Sequence, residues 1–591
     1  MFGRWTQILL TGLAGLFLPF SVSIADILFA DVTGSAGLTH YINGEGVCIL
    51  DIDNDGREDI FIAGGNGRNL LYRNLGGMVF EEIAHTAGVD STGWTRLTIA
   101  SDFDRDGWID LFLGCHNLPS RLFRNRGDGT FEDVTSLSGI QNMANTRGGA
   151  WFDHDLDGLP DIYVGNFSQP NILCRNNGDG TFSEIAAEVN ARGPLTSGLV
   201  MGLAVIDYDR DGDGDILMAQ DGDRGNILLR READGLYTDV SDAAGVNLPV
   251  MGMGVAVGDY NGDLFPDAYI TNLDESTLLR NNGDGTFSDA TVEAGVGDLP
   301  AHMGWGTFFF DADNDGWPDL YNNNQTGFGG IPNSFYRNRG DGTFEDLSGP
   351  SGLLCFNDGL GSAFADLDND GRLDIVLSGG PSAAGNLKLF RNISTVDNHW
   401  IQLTVYPAGL HQTATGVTVE LYVDGVPQVQ TVATGNGYVS QNTARLHFGT
   451  GDAAGIDSVV VYWVDGTMER FISLSTDMHH HLHQGSGVTG IRGEESAPSA
   501  FILSQNYPNP FNPGTTISYE ISRRARIVLR ITDMLGRDVA TIVDAVQEPG
   551  RHSVVWEAGG HASGVYFYRL QATDSYSGQS GTASGKMLLA R

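Results

Sequence analysis

The chain is poor in cysteine and in positive charge. Four cysteines occur in 591 residues, Cys48, Cys115, Cys174 and Cys355, each at a different place relative to the repeat described below. They read as isolated buried thiols, with an incidental bridge still open, and not as a disulfide framework. Lys and Arg total 34 against 74 Asp and Glu, a formal net charge of -40, which repels nucleic acid and anionic lipid and excludes both as partners. Neither G-x-S-x-G nor H-E-x-x-H occurs, so the nucleophile elbow and the zincin helix are absent. Beyond the N-terminus no apolar run is long enough to span a bilayer.

What is abundant is glycine, 81 residues without a collagen-like period, which points to many tight turns in an all-β protein. The N-terminus, MFGRWTQILLTGLAGLFLPFSVSIAD, places Arg4 before an apolar run and small residues at Ser23 and Ala25. That is the layout of a secretory signal peptide over residues 1–25, the competing reading being a membrane anchor helix.

One short acidic pattern recurs seven times. It reads DIDNDGREDI (Asp51, Asp53, Asp55, Asp59), DFDRDGWIDL (Asp102, Asp104, Asp106, Asp110) and DHDLDGLPDI (Asp153, Asp155, Asp157, Asp161). It continues as DYDRDGDGDI (Asp207, Asp209, Asp211, Asp215), DYNGDLFPDA (Asp259, Asn261, Asp263, Asp267), DADNDGWPDL (Asp311, Asp313, Asp315, Asp319) and DLDNDGRLDI (Asp366, Asp368, Asp370, Asp374). The intervals are 51, 51, 54, 52, 52 and 55 residues, a period of propeller blades or of a solenoid. Within the third unit, RGGAWFD, PDIYVGN, NILCRN and NGDGTFSEI are four short apolar runs bounded by turn residues, hence four strands, with a hairpin at Asn-Gly-Asp-Gly.

Five residues before each leading aspartate stand Gly46, Leu97, Gly148, Gly202, Gly254, Gly306 and Gly361. Small residues on one strand of every unit suit sheets converging on a common axis, which a solenoid lacks. The seventh unit stops at LFRNIST without a final strand, whereas ILFADVTGSAGL near the N-terminus supplies one. Donated back, it closes the ring and covers two sheet edges. The expectation is an all-β chain with a seven-bladed propeller.

Two carboxylates about 4 Å apart repel by roughly 1 kcal/mol in water and by more at lower dielectric, so the loops are built for a cation. Oxygen donors at positions 1, 3, 5 and 9, and a glycine at 6 that turns the carbonyl of position 7 inward, match the front half of an EF-hand loop and suit Ca²⁺ over Mg²⁺. Without Cys or His ligands, zinc and copper are disfavoured there. Up to seven ions are expected, with the weakest at Asp259, where Asn261 replaces an acid and Leu264 replaces the glycine.

The D-x-D-x-D-G-x-x-D loops, the RNxGDGTFxDVT hairpins and the seven-fold count resemble FG-GAP/VCBS-type propellers, the family that includes integrin α-subunit heads. The resemblance covers about residues 27 to 395 and implies a secreted Ca²⁺-binding scaffold whose ligands attach to loops on one face. Arg126-Gly127-Asp128 and Arg339-Gly340-Asp341 spell RGD, but the corresponding turns read NNGDG from Asn176 and Asn281. Arg and Asn thus interchange in a structural turn.

The propeller is expected over 26–396. From there the acidic loops vanish and alternation appears in HWIQLTVY, GVTVELYVDG and DSVVVYWVDGT, a small antiparallel β-domain over 397–484. GNGYVSQNTARLHFGTG from Gly435, followed by VVVYWVDGTMERF, resembles the ASPIC/UnbV domain of the cartilage acidic protein and enediyne-cluster protein families. His479, His480, His481 and His483 could bind a transition metal or form a polar strand end. Residues 485–500, rich in Gly, Ser and Glu, read as a flexible linker. The tail, 501–591, alternates like an Ig-like sandwich; its QNYPNPFNP and terminal KMLLAR resemble the C-terminal sorting domain of the bacterial type IX secretion system. That implies passage across an outer membrane through that machinery, with possible removal of the tail.

Two functions fit. One is a non-catalytic, monomeric protein, secreted or held at the cell surface, that binds an extracellular glycan or protein. The other is a secreted hydrolase or lyase acting on polysaccharide in the axial funnel. The regular carboxylates are accounted for as metal ligands and no acid and base pair is singled out, so a binding protein without enzymatic activity is the expectation.

Overall fold

A computed structural model describes residues 27–589, except 66, 91–92, 194–198, 223–224, 298–301, 326–329, 357–358, 380–386, 410–414, 492–500, 504–510, 522–523, 534–536, 548–549, 562–563 and 575–579. The expected signal peptide and the QNYPNP stretch lie outside the described residues. No described helix is long and apolar enough to cross a membrane.

The fold is all-β, with repeated four-stranded sheets consistent with a β-propeller. In the first repeat, Gly44–Leu50, Asp59–Gly64, Leu70–Asn74 and Phe80–Glu82 pair antiparallel in chain order. Each acidic loop joins the first strand of a sheet to the second, and the second ladder begins at the last aspartate, as in Leu50↔Asp59 and Phe152↔Asp161. Among the described residues from 29 to 392, seven such sheets occur.

The seventh sheet is completed from the other end of the chain. Phe29–Asp31 pairs with Lys388–Asn392 in the register Phe29↔Asn392 and Asp31↔Phe390, as the missing strand required. The first and seventh sheets also share a core, where Val47, Ile49, Ile60 and Tyr72 pack with Ala363, Ala365, Val376 and Leu389. Apolar surface is therefore buried between neighbouring sheets around a closed circuit, where each fully buried Leu, Ile or Phe contributes about 1.5–3 kcal/mol.

The recurrent glycines sit where that circuit is tightest. A Cβ on Gly254 would lie 2.2 Å from the carbonyl oxygen of Trp305 on the next sheet, and one on Gly361 would lie 2.4 Å from that of Glu45. Both distances are far inside van der Waals contact, so only hydrogen fits.

The next unit has two sheets. Leu446–Gly451, His399–Tyr406 and Met478–His483 form one, and the other runs Val426–Thr431, Thr418–Val423, Ser458–Tyr462, Thr467–Phe471, Val488–Ile491. Its last strand falls inside the stretch expected to be a flexible linker. Val488–Ile491 pairs with Thr467–Phe471 from Thr467↔Ile491 to Arg470↔Val488, satisfying a sheet edge that would otherwise be open. Two further sheets follow, of three and four strands, around Ile517, Ile527, Leu529, Trp556 and Leu570.

This second unit lies on the acidic-loop face of the sheet ring and sends a segment down its axis. Residues 434–443 hydrogen-bond to the innermost strands of five sheets. Thr434 Oγ1 accepts from Trp151 N at 2.7 Å, and Gly437 N donates to Val255 O at 2.6 Å. Thr98 N donates to Val439 O at 3.2 Å, Gln441 N to Val47 O at 2.8 Å, and Thr443 N to Phe364 O at 3.2 Å. Tyr438 of this segment is fully buried, with its ring 4.6 Å from that of Trp305 and its hydroxyl bonded to Arg147.

Candidate metal centre

Each acidic loop is wound around its first aspartate. Asp51 Oδ1 accepts from Asp55 N at 3.2 Å and Oδ2 from Gly56 N at 2.9 Å. Asp102, Asp153, Asp311 and Asp366 repeat both bonds. The turn needs positive φ twice, at position 4 and at position 6: Asn54 has φ 55° and Gly56 φ 81°. Loop five keeps the same winding, with Gly262 at φ 73° and Leu264 at φ 71°. Leu264 thus holds a left-handed conformation that a side chain disfavours by about 1–2 kcal/mol, a local cost at the site expected to be weakest.

Position 9 is the pivot between strands. Asp59 Oδ2 accepts from Ile52 N at 2.9 Å and Oδ1 from Asn74 N at 2.7 Å, and Asp110, Asp161, Asp215, Asp267, Asp319 and Asp374 bond in the same way. With both oxygens oriented, the carboxylate faces those of positions 1 and 3.

Asp51, Asp53 and Asp59 each bring one oxygen within 4.8 Å of the others, as do Asp102, Asp104 and Asp110; Asp153, Asp155 and Asp161; and Asp207, Asp209 and Asp215. In loop six the grouped residues are Asp311, Asp313 and Asp315. The aspartate at position 5 of the early loops turns to its own backbone, Asp55 Oδ1 accepting from Arg57 N at 2.9 Å and Asp106 Oδ1 from Trp108 N at 2.9 Å. In loop six Asp315 does both, closing the turn through Trp317 N at 3.0 Å and joining the converging trio.

The position-3 oxygens test whether a cation fits. Oδ1 of Asp53, Asp104, Asp209, Asp313 and Asp368 is buried and accepts no hydrogen bond. A buried carboxylate oxygen left so costs several kcal/mol unless a positive charge meets it; Arg337 and Arg391 meet the other oxygen of Asp313 and Asp368 at 2.7 and 2.6 Å, but Oδ1 is left so in all five loops. The carboxyls respond accordingly. Burial first, with the neighbouring carboxylates adding, raises Asp102 and Asp153 to about 6, and Asp161 to about 8. These clusters could bind metal ions through hard oxygens alone.

One set of residues in this network is missing from the sequence reading. Asn125 Nδ2 donates to Ile52 O of the preceding loop at 2.9 Å, Asn176 to Phe103 O at 2.8 Å, Asn281 to Tyr208 O at 2.8 Å and Asn338 to Tyr260 O at 2.8 Å. Asn392 reaches Ala312 O and Asn74 reaches Leu367 O, both at 2.8 Å, the latter joining the first repeat to the last. In the fourth sheet Arg231 Nε serves, at 2.7 Å from His154 O. Every acidic loop is thus tied to a neighbour by the residue that also donates to the position-9 aspartate. The signal was the Asn of the repeated Arg-Asn before each hairpin. Asn281→Ala removes the donor to the Tyr208 and Pro266 carbonyls and is expected to cost about 1–3 kcal/mol, read as a lower denaturation midpoint.

The RGD turns are structural. Asp128 Oδ1 accepts from Thr130 N at 3.0 Å and Oγ1 at 2.6 Å, and Asp341 does the same with Thr343. Asp179 and Asp284 of the NNGDG turns make identical bonds. All four cysteines are buried and outside any disulfide.

The sequence model of the FG-GAP-like repeat matches residues 51–113, 102–164, 153–218, 207–270, 261–322 and 323–377 in unbroken succession. The chain belongs to the FG-GAP-like repeat family. Two further models match this FG-GAP repeat protein, ASPIC and UnbV over 408–489 and the secretion system C-terminal sorting domain over 505–579. The sorting domain implies secretion or outer-surface localisation in a bacterium and involvement of type IX secretion.

Cartilage acidic protein 1 of Xenopus tropicalis is 28% identical over 71% of this chain and 70% of its own length. The Homo sapiens protein of that name is 27% identical over 76% and 74%. Among solved structures, an Agrocybe aegerita lectin described for recognition of non-reducing terminal N-acetylglucosamine aligns at 21% identity, covering 52% of this chain and 81% of that one, with a TM-score of 0.36.

Proposed function

We propose that this chain is a secreted or surface-attached, calcium-stabilised, seven-bladed propeller that binds an extracellular glycan or protein without transforming it. The ions would be held by aspartates at positions 1, 3, 5 and 9, and would meet the position-3 Oδ1 atoms that accept no hydrogen bond.

The observation that carries the reading is the seating of the ASPIC/UnbV unit. It covers the acidic-loop face through Gln402 Nε2 to Asp366 Oδ2 at 2.8 Å, Asn398 Nδ2 to Asp313 O at 2.8 Å and a buried Arg210–Glu420 ion pair at 2.6 Å. Residues 434–443 fill the axis, which is the place a funnel-type hydrolase would need for substrate. The opposite mouth remains for a ligand. There Trp94 is 37% exposed, its ring 4.7 Å below the Arg96 guanidinium and 4.5 Å from His116, and its indole N–H donates to Glu45 Oε1 at 2.9 Å. A fixed aromatic face beside a buried ion pair suits stacking on a sugar ring or a planar side chain.

Arrays of glycans and peptides probed with purified protein in calcium test this. Retention of an intact ligand, lost in Trp94→Ala while the melting temperature holds, is the expected result. Shortened saccharide products would favour the hydrolase instead.

A further inference from the structure

The histidines of the edge strand Met478–His483 are left unused by this function. The strand runs parallel beside His399–Tyr406 in the register Thr404↔His481 and Tyr406↔His483. Alternation puts His479, His481 and His483 on one face, while Leu482 enters the core on the other. His480 departs with that other side, its Nε2 2.8 Å from Ser475 O. The His479 and His481 rings lie 4.4 Å apart between centroids, and His483 stacks on Tyr406 at 4.6 Å.

Each of the paired imidazoles is held by one nitrogen only. His479 Nε2 lies 2.7 Å from Thr404 Oγ1, and His481 Nδ1 lies 2.9 Å from the Tyr406 hydroxyl. A hydroxyl from the neighbouring strand thus orients each ring and leaves His479 Nδ1 and His481 Nε2 as candidate donors, in the role that an outer hydrogen-bond partner plays for a metal-ligating histidine. We propose that His479 and His481 form a two-imidazole chelate for a borderline divalent transition ion, Cu²⁺ bound most tightly, with water in the outward positions and His483 as the adjacent third donor.

Several features favour this ion class. Imidazole nitrogens suit Cu²⁺, Ni²⁺ and Zn²⁺ and reject Ca²⁺, the reverse of the acidic loops. Burial first, and then Arg445, lowers His479 to about 3 and His481 below its ordinary range, so both rings are neutral near pH 7, while the Arg445 charge opposes a bound cation and limits its affinity. Arg445 is itself fixed on Asn369 Oδ1 at 2.8 Å and Gly56 O at 3.2 Å, and Asp51 of the first loop acts on Tyr406 from the same side.

The full chain, loaded with calcium, is titrated with CuCl2 followed by calorimetry and electron paramagnetic resonance. One saturable equivalent with nitrogen hyperfine structure is expected, undisturbed by a large excess of Ca²⁺. His479→Gln and His481→Gln should each weaken binding at least about tenfold, and His480→Gln should leave it unchanged. Displacement by Ca²⁺, a spectrum with oxygen ligands only, or equal loss in His480→Gln overturns the assignment. The wild-type spectrum needs no variant, so a misfolded substitution does not spare the proposal.

Discussion

Removal of divalent cations is expected to lower the melting temperature of the propeller by on the order of 10 °C or more, and to expose a dependence on pH that bound metal suppresses. At metal concentrations tenfold above the dissociation constant each site adds about 1.4 kcal/mol, and seven sites together add about 10 kcal/mol, as much as the whole stability of a typical domain. In the metal-free chain the trios are left to titrate. Burial raises Asp366 to about 6, Asp259 to about 7 and Asp110 to about 9, with neighbouring carboxylates adding to it. Each of these groups binds its proton more tightly folded than unfolded. Protonation therefore stabilises the fold below about pH 4, and that contribution is lost as pH rises through 6 to 9. Calorimetry on metal-stripped protein should show the transition falling between pH 5 and 8. With saturating calcium it should be nearly flat over the same range, because the ion displaces the protons and the trio is then deprotonated in the folded and unfolded chain alike. Identical curves with and without metal would falsify the stabilising role.

The legible part of this molecule was its periodicity. A 51 to 55 residue interval, an acidic loop after one strand and a hairpin before the last are local features, and local features survive in sequence. The donated strand was legible for the same reason, since Phe29–Asp31 is the final strand of a repeat standing alone. The position-5 aspartates were harder. Asp55 and Asp59 look alike in sequence, yet Asp55 accepts from its own turn and Asp59 from two other segments. Only three-dimensional pairing shows which segments each acid binds. The Asn ties were present as a repeated dipeptide, but their acceptors lie 73 residues away in Asn125, Asn176 and Asn281, a separation no local pattern reports. Val488–Ile491 was misread because Gly and Ser composition favours a linker until a partner edge supplies backbone bonds.

The axial segment is the feature sequence conceals most fully, and the second large effect is expected there. Tyr438→Ala should destabilise the chain by about 3–5 kcal/mol, the range for emptying a buried aromatic site. Tyr438→Phe should cost only about 1 kcal/mol, since it keeps the ring on Trp305 and forfeits the bond with Arg147. The approach of the segment is as close as its tip is full. A Cβ on Gly435 would stand 1.9 Å from Gly149 O, so Gly435→Ala cannot be housed without withdrawing residues 434–443 from the axis. Withdrawal would strip hydrogen bonds from five innermost strands at once and open the channel to water. Hydrogen exchange reads this directly: amides of Val47, Ile49, Thr98, Trp151 and Val255, which this segment bonds or flanks, should lose protection together in Gly435→Ala. Loss confined to the ASPIC/UnbV unit, with those five amides still slow, would mean that the sheet ring holds itself closed without its central segment.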